Sequence, residues 1–193
     1  MAEPVPRSPA ARSPITPAAP VVVRDGWEVS DRRSSAALTL ADCTPVRKFV
    51  VRGNGVLGVP FGRAERHGDT LVAGSGPGEW TVFGGEAAPS PEGEFISVVD
   101  VTHGRALIRL TGVLAARLLA KVCPIDFSER VTPHGAAFRS SVAALATDVV
   151  RDDRDGSPSY LLHCERSAGQ YLYDSLLDAG AELGIEPTGG DGR

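Results

Sequence analysis

The sequence lacks any excess of positive charge: its 193 residues carry 20 Lys and Arg against 24 Asp and Glu, a formal net charge of -4. Such a chain has no overall positive field to steer it onto phosphate backbones, so nucleic acid is not an expected partner. Cysteine is scarce as well. Cys43, Cys123 and Cys164 are odd in number and far apart, no C-x-x-C occurs, and only His163 adjoins one of them, so neither a disulfide framework nor a zinc site is signalled. A reduced, cytoplasmic protein is expected. No apolar run approaches the roughly 18 residues that a membrane span requires, and Met1 is followed by Ala, Pro, Ser and Arg rather than by a basic and then apolar leader. The expectation is a soluble, unexported chain without membrane contact.

What is present is organised in three parts. Residues 1–22 hold Pro4, Pro6, Pro9, Pro14, Pro17 and Pro20 among Ala, Ser and Arg, which removes backbone donors and offers little apolar surface against the entropy of ordering, so a disordered arm is expected. Residues 23–186 form the expected domain and 187–193 a flexible tail. Within the domain, VRKFVVRG (46–53) alternates in strand fashion, and DTLVAG (69–74) and EWTVFGG (79–85) are strands separated by a turn at SGPG. A turn at His103-Gly104 divides ISVVDVT from RALIRLTG as a hairpin. VLAARLLAKVC then places Val113 or Leu114, Leu118 and Val122 at helical spacing, with Cys123-Pro124 as the stop. Strands follow in FRSSVAALATDVVR (138–151, broken) and SYLLHCE (159–165). SAGQYLYDSLLDAG closes as a helix, with Ser167 and Gln170 as a capping box and Gly180 as its end. The segments FVVRGNGVLGV and LIRLTGVLAAR share a strand, a glycine and a crossover. Two βαββ-type units in one α+β body would produce this plan, and so would chance likeness between short apolar segments.

Each polar constellation has a plain structural alternative. Asp100 and Thr102 share one face of a strand and His103 turns the corner beside Gly104, which raises the question of an active site. A hydroxyl nucleophile needs its base within hydrogen-bond reach, whereas adjacent strand residues project apart; the better reading is that short polar side chains satisfy turn donors. GSGPGEW (74–80) lacks the Lys-Ser/Thr of a phosphate loop, and Pro77 removes a donor, so a hairpin with Trp80 as a core aromatic is expected. His163 and Cys164 lie on opposite strand faces, a satisfied histidine and a packed thiol. His67 and His134 have no partner at metal spacing, and RDDRDG (151–156) lacks the spaced ligands of a calcium loop and reads as a charged hairpin tip. The residues thus supply no catalytic, cofactor-binding or metal-ligating set.

Taken in order, GSGPGEWTV, DVTHGRALIRLTGVLAARLLAKVCPIDF, FRSSVAALATDVVR and SYLLHCERSAGQYLYDSLLDAG resemble the gamma subunit of bacterial heterotetrameric sarcosine oxidase. That family is related to the folate-binding domain of aminomethyltransferases, and the resemblance covers roughly residues 40–185. It implies an α+β body like the aminomethyltransferase folate-binding domain. It also implies a non-catalytic gamma subunit that assembles and stabilises a flavin-dependent complex. Such a complex demethylates sarcosine to glycine, releasing hydrogen peroxide and yielding formaldehyde or methylene-tetrahydrofolate. The implied partners are alpha, beta and delta subunits. FAD, FMN, NAD, tetrahydrofolate and zinc are implied for those chains, with no cofactor on this one.

One departure bears on the alternatives. Aminomethyltransferases carry a Gly-Gly-x-x-Asp-Asp segment whose acid faces folate, whereas VAALATDVVRDD here has no Gly-Gly and offers only Asp148 at that place. A stand-alone folate-binding aminomethyltransferase-like protein would rest on Asp148 and Asp100. The same subunit of a complex acting on another N-methyl amine is the remaining alternative.

Overall fold

The computed structural model describes residues 10–54 and 56–190, in which short strands dominate and two helices cover one side. Strands β1 (Ala11–Arg12), β2 (Val21–Arg24) and β3 (Trp27–Ser30) form a small sheet ordered β1-β3-β2, β2 and β3 turning tightly at Asp25-Gly26, both in the left-handed region. Strand β4 (Leu38–Asp42) belongs to a second sheet. A third holds β5 (Lys48–Arg52), β6 (Ala64–His67), β7 (Thr70–Gly76), β8 (Glu79–Gly84) and β9 (Ser97–Asp100) in the order β6-β7-β8-β5-β9. The chain continues through β10 (Arg105–Gly112), helix α1 (Ala115–Val122), β11 (Ala137–Val142), β12 (Leu145–Arg151), β13 (Ser159–Glu165), helix α2 (Gly169–Gly180) and β14 (Glu186–Thr188). With β4, these strands complete a six-stranded sheet ordered β11-β12-β13-β10-β4-β14.

The α+β class expected from the sequence is the one observed, and both helices lie in the second half. After FVVRG no helix forms among the described residues up to Arg63, which hold turns and two isolated bridges at Phe61 and Arg63, and β5 joins β8 and β9 directly. Alternation along the strands explains the layers. Ala106, Ile108 and Leu110 of β10 and Tyr160, Leu162 and Cys164 of β13 face α1 and α2, meeting Leu118, Leu119, Leu172 and Leu176. Leu107 and Leu161 point the other way, into the space before the five-stranded sheet, where they meet Leu71, Ala73 and Phe83. A further cluster of Phe49, Val51, Val72, Trp80 and Val82 backs that sheet under the loop of Val56, Leu57 and Val59, and Trp80 Nε1 donates to Val59 O at 2.7 Å. The helices, the six-stranded sheet, the five-stranded sheet and this loop are therefore stacked in that order.

Several local expectations are corrected. ISVVDVT and RALIRLTG do not pair as a hairpin: β9 pairs with β5, β10 with β4 and β13, and the turn between them carries the chain from one sheet to the other. The 138–151 stretch does break into a hairpin, but at Ala143-Ala144, two non-glycine residues with φ of 47° and 65°. Ser167 caps nothing. A 3-10 turn at residues 166–168 precedes α2, and the Gln170 carboxamide is committed elsewhere, its Oε1 accepting from Thr16 N at 2.7 Å and its Nε2 donating to Asp174 Oδ1 at 2.8 Å. Gly180 is the last residue of α2 but stays in the right-handed region and does not turn the chain; its missing Cβ makes room for packing, since one there would lie 2.6 Å from Leu118 Cδ1. A 3-10 turn follows over residues 181–183, and the left-handed residue that ends it is Gly184.

Of the arm expected over 1–22, residues 1–9 lie outside the described residues, and 10–22 pack on the body. Ile15 is buried in the helix-side core, because an apolar side chain among the prolines finds a slot beside Gly169, whose missing Cβ would lie 2.9 Å from Pro14. Of the tail expected over 187–193, Pro187 and Thr188 pair with β4, and Gly189 N donates to Arg32 O at 2.7 Å.

Candidate functional site

A cleft of about 820 Å³ opens where the β2–β3 turn, the β4–β5 connection and the turn after β9 meet. Its walls carry Asp25, Asp69, Glu86 and Asp100 against Arg47, and its rim carries Trp27 and His103, stacked at 4.7 Å between ring centroids with planes 10° apart.

The structure resolves the Asp100-Thr102-His103 question. Asp100 Oδ1 accepts from Thr102 N at 2.8 Å, the Thr102 hydroxyl is buried and accepts from Lys48 N at 3.0 Å, and Gly104 N and Arg105 N both bond Val101 O. His103 lies flat on Trp27. These groups therefore build the passage between two sheets, with the acid and hydroxyl spent on backbone donors. Beside them Lys48 is fully buried, its Nζ donating to Thr44 O at 2.6 Å and Val46 O at 2.8 Å. Burial lowers its pKa to about 8, against the pull of Asp42.

Two polar groups between the sheets have no counterpart in the sequence reading. The first is a cross-strand row, Arg139 on β11, Asp148 on β12 and His163 on β13, which the strand register places side by side. Arg139 Nε and Nη2 donate to Asp148 Oδ1 and Oδ2 at 2.6 and 3.0 Å. Burial alone would raise the Asp148 pKa, but the nearby His163 ring and the hydrogen-bonded Arg139 guanidinium outweigh it and hold the carboxyl at about 2. His163 Nδ1 stands 3.5 Å from Asp148 Oδ2, and neither ring nitrogen makes an ordinary hydrogen bond, so the histidine expected to be satisfied is not. Burial pushes its pKa down and keeps the ring neutral, edge-on to Phe83 at 5.3 Å.

The second group corrects the reading of RDDRDG. Asp155 and Gly156 do form an exposed tip, but Asp152 is 2% exposed and sits at a node of three guanidinium groups. Arg66 of β6 donates to both of its carboxylate oxygens, at 3.1 and 2.7 Å, while Arg109 Nη2 and Arg154 Nε reach Oδ2 at 3.0 Å each. Arg109 also donates to Ser159 Oγ at 2.9 Å. Burial raises the Asp152 pKa, yet the charges of Arg66 and Arg109 prevail and lower it. Because Arg66 belongs to one sheet and Arg109 to the other, the node clamps them together.

The remaining candidates fall apart in space. His134 Nδ1 accepts from Asp153 N at 3.1 Å, and His67 lies 3.9 Å from Glu65 on the surface. Cys43, Cys123 and Cys164 are buried, Cys164 with a thiol pushed up by burial to about 11. No group of three metal-ligating side chains occurs among the described residues, and no helix among them is long and apolar enough to cross a membrane.

Comparison with known proteins places this architecture. Residues 77–193, well over half of the sequence, match the family described as the GCVT N-terminal domain. The chain belongs to that family. It is similar to an aminomethyltransferase of Geobacillus thermodenitrificans, 32% identical over 94 residues, which are 49% of this chain and 26% of that protein. The match thus spans about a quarter of the curated relative. Among solved structures, one is a heterotetrameric sarcosine oxidase from Corynebacterium sp. U-96 in complex with pyrrole 2-carboxylate, with a TM-score of 0.64 at 20% identity over 79% of this chain and 88% of that one. Another is the glycine cleavage system aminomethyltransferase T from Bartonella henselae, with a TM-score of 0.64 at 12% identity over 87% of this chain and 55% of that one. The fold is therefore the aminomethyltransferase type that the sequence resembled. Asp148, the one acid offered at the folate-facing place, is bound through both oxygens to Arg139, so the residues present do not fit a folate contact there.

Proposed function

We propose that this chain is a non-catalytic gamma-type subunit that assembles and stabilises a flavin-dependent heterotetrameric sarcosine oxidase beside alpha, beta and delta chains. The observation that carries this reading is one of length: the likeness covers 88% of a chain of the sarcosine oxidase but 55% of the aminomethyltransferase, which supports a unit of such a complex over a complete transferase. The spending of Asp100, Thr102 and Asp148 on internal bonds agrees with it. FAD, FMN, NAD, tetrahydrofolate and zinc then belong to the partner chains. There the N-methyl group of sarcosine is oxidised, dioxygen is reduced to hydrogen peroxide, and the carbon leaves as formaldehyde or on tetrahydrofolate. The compartment is the cytoplasm.

The test is to tag the full chain in its native host, purify it gently and record the masses of co-purifying chains with the visible spectrum. Large partners with flavin absorbance are expected; a colourless, monodisperse monomer would overturn the reading. Turnover of a panel of N-methyl amines by that preparation separates sarcosine from a related substrate.

A second reading, a stand-alone folate-binding protein of the aminomethyltransferase type, is favoured by the family match and by Asp100 on the cleft wall. Micromolar binding of a tetrahydrofolate analogue by the lone chain, abolished in Asp100→Asn, would establish it.

A further inference from the structure

We propose that the outer edge of β9, with Phe95 before it and the acidic cleft after it, is the surface on which a partner chain docks, and that the partner offers an apolar pocket bordered by Lys and Arg. The proposal rests on the subunit reading and names the surface that reading requires.

Phe95 is 96% exposed and has a φ of 56°. The left-handed region costs a bulky side chain about 1–2 kcal/mol, and here it leaves a whole aromatic ring in water. Its neighbour shows that the position is fixed. Ile96 packs where Gly53 and Gly93 leave room, a Cβ on either lying 3.2 or 3.0 Å from the Ile96 side chain. The loop is thus pinned onto the turn after β5 with Phe95 directed outward. An aromatic anchor held away from its own core has the form of a side chain that fills a partner's pocket.

Strand β9 continues the same surface. It pairs only with β5 among the described residues, so its outer row of N–H and C=O groups is open to another strand. Val98 packs inward on the core behind the sheet, while Val99 is 52% exposed.

Charge selects the occupant. Residues 85–100 hold Glu86, Glu92, Glu94 and Asp100 with no Lys or Arg, and the cleft at the end of β9 adds Asp25 and Asp69. The adjacent cation, Arg47, is engaged with the Glu86 carbonyl. A second copy docking edge to edge would bring this acidic stretch against itself, which like charges oppose. A basic-rimmed pocket on a different chain meets both the ring and the carboxylates.

The test uses the tagged full chain and the large chains that co-purify with it, separated and reconstituted. Phe95→Ala should weaken reassociation by about tenfold or more, as loss of an anchor does. The Glu92→Lys, Glu94→Lys pair should weaken it too, less so as ionic strength rises. Tyr171→Ala, at another exposed aromatic on α2, should leave association unchanged, and all variants should keep the wild-type melting temperature. Partners and flavin retained with both β9-edge variants within about twofold of wild type would overturn this surface and leave the subunit reading standing. Absence of any partner for the wild type would overturn both. A concentration-dependent dimer abolished by Phe95→Ala would assign the surface to a second copy and overturn the heterologous docking.

Discussion

The two faces of the six-stranded sheet are built on opposite rules. Toward α1 and α2 the contacts are mostly apolar, Ile108 and Leu162 meeting Leu118 and Leu172, with the Tyr173 hydroxyl donating to Leu40 O at 3.2 Å. Toward the five-stranded sheet the apolar cluster of Leu107, Leu161 and Phe83 is flanked by the Arg139-Asp148-His163 row and the Asp152 node. Apolar packing rewards coverage by almost any complementary shape, whereas charged groups with fixed hydrogen-bond geometry are satisfied in one arrangement. The helix side supplies stability, and the inter-sheet side fixes how the two sheets lie against each other.

Substitutions can break that contrast in order of effect. Leu118→Ala, at a fully buried site between the helices and the sheet, should cost about 4 kcal/mol by urea unfolding. Asp152→Ala leaves Arg109 buried without its carboxylate and should cost about 3 kcal/mol. Replacing the two together, Arg109→Met with Asp152→Leu, should cost less than the single change and yet loosen the sheets, seen as faster amide exchange in β6 and β7. An equal loss for single and double variants would show that the node does not act as a paired unit. Gly180→Ala forces a methyl against Leu118 and Ile185 and should cost about 2 kcal/mol.

A pH series sharpens the comparison further, because His163 and Asp148 both lie on the inter-sheet side. The folded pKa of His163 is lowered, so the unfolded chain takes up a proton first as pH falls through the ordinary histidine value. Stability contributed there is present above that value and lost below it, by at most about 1.4 kcal/mol per pH unit. Asp148, held at about 2, adds a second loss as pH falls through the ordinary carboxyl range toward that value. His163→Leu should flatten urea midpoints between about pH 7 and pH 5; an unchanged slope would place the titration elsewhere. The smallest effect is expected for Ser167→Ala, within about 0.5 kcal/mol, since Ser167 caps no helix.

The sequence made α1, the SGPG hairpin and the core role of Trp80 legible, because spacing and turn chemistry are local signals. The hairpin at Ala143-Ala144 carries no glycine or asparagine, so nothing local announces its left-handed turn. The separation of β9 from β10 depends on what each pairs with, and those partners, β5, β4 and β13, lie far along the chain. The same limit hid the site. Asp152 looks like one acid in a charged run until Arg66, 86 residues away, is brought onto it. His163 gains its neighbour Asp148 only through strand register. Gln170 fits a capping motif by spacing, yet its side chain serves Thr16.

That last contact joins positions 154 residues apart in sequence. Pro14, Ile15 and Thr16 cannot settle until Gly169 and Gln170, which receive them, are held in α2. Their docking closes a long loop, whose entropy cost must be met before the contact stabilises anything. Attachment of this segment is therefore a late event that reports on the completed helix.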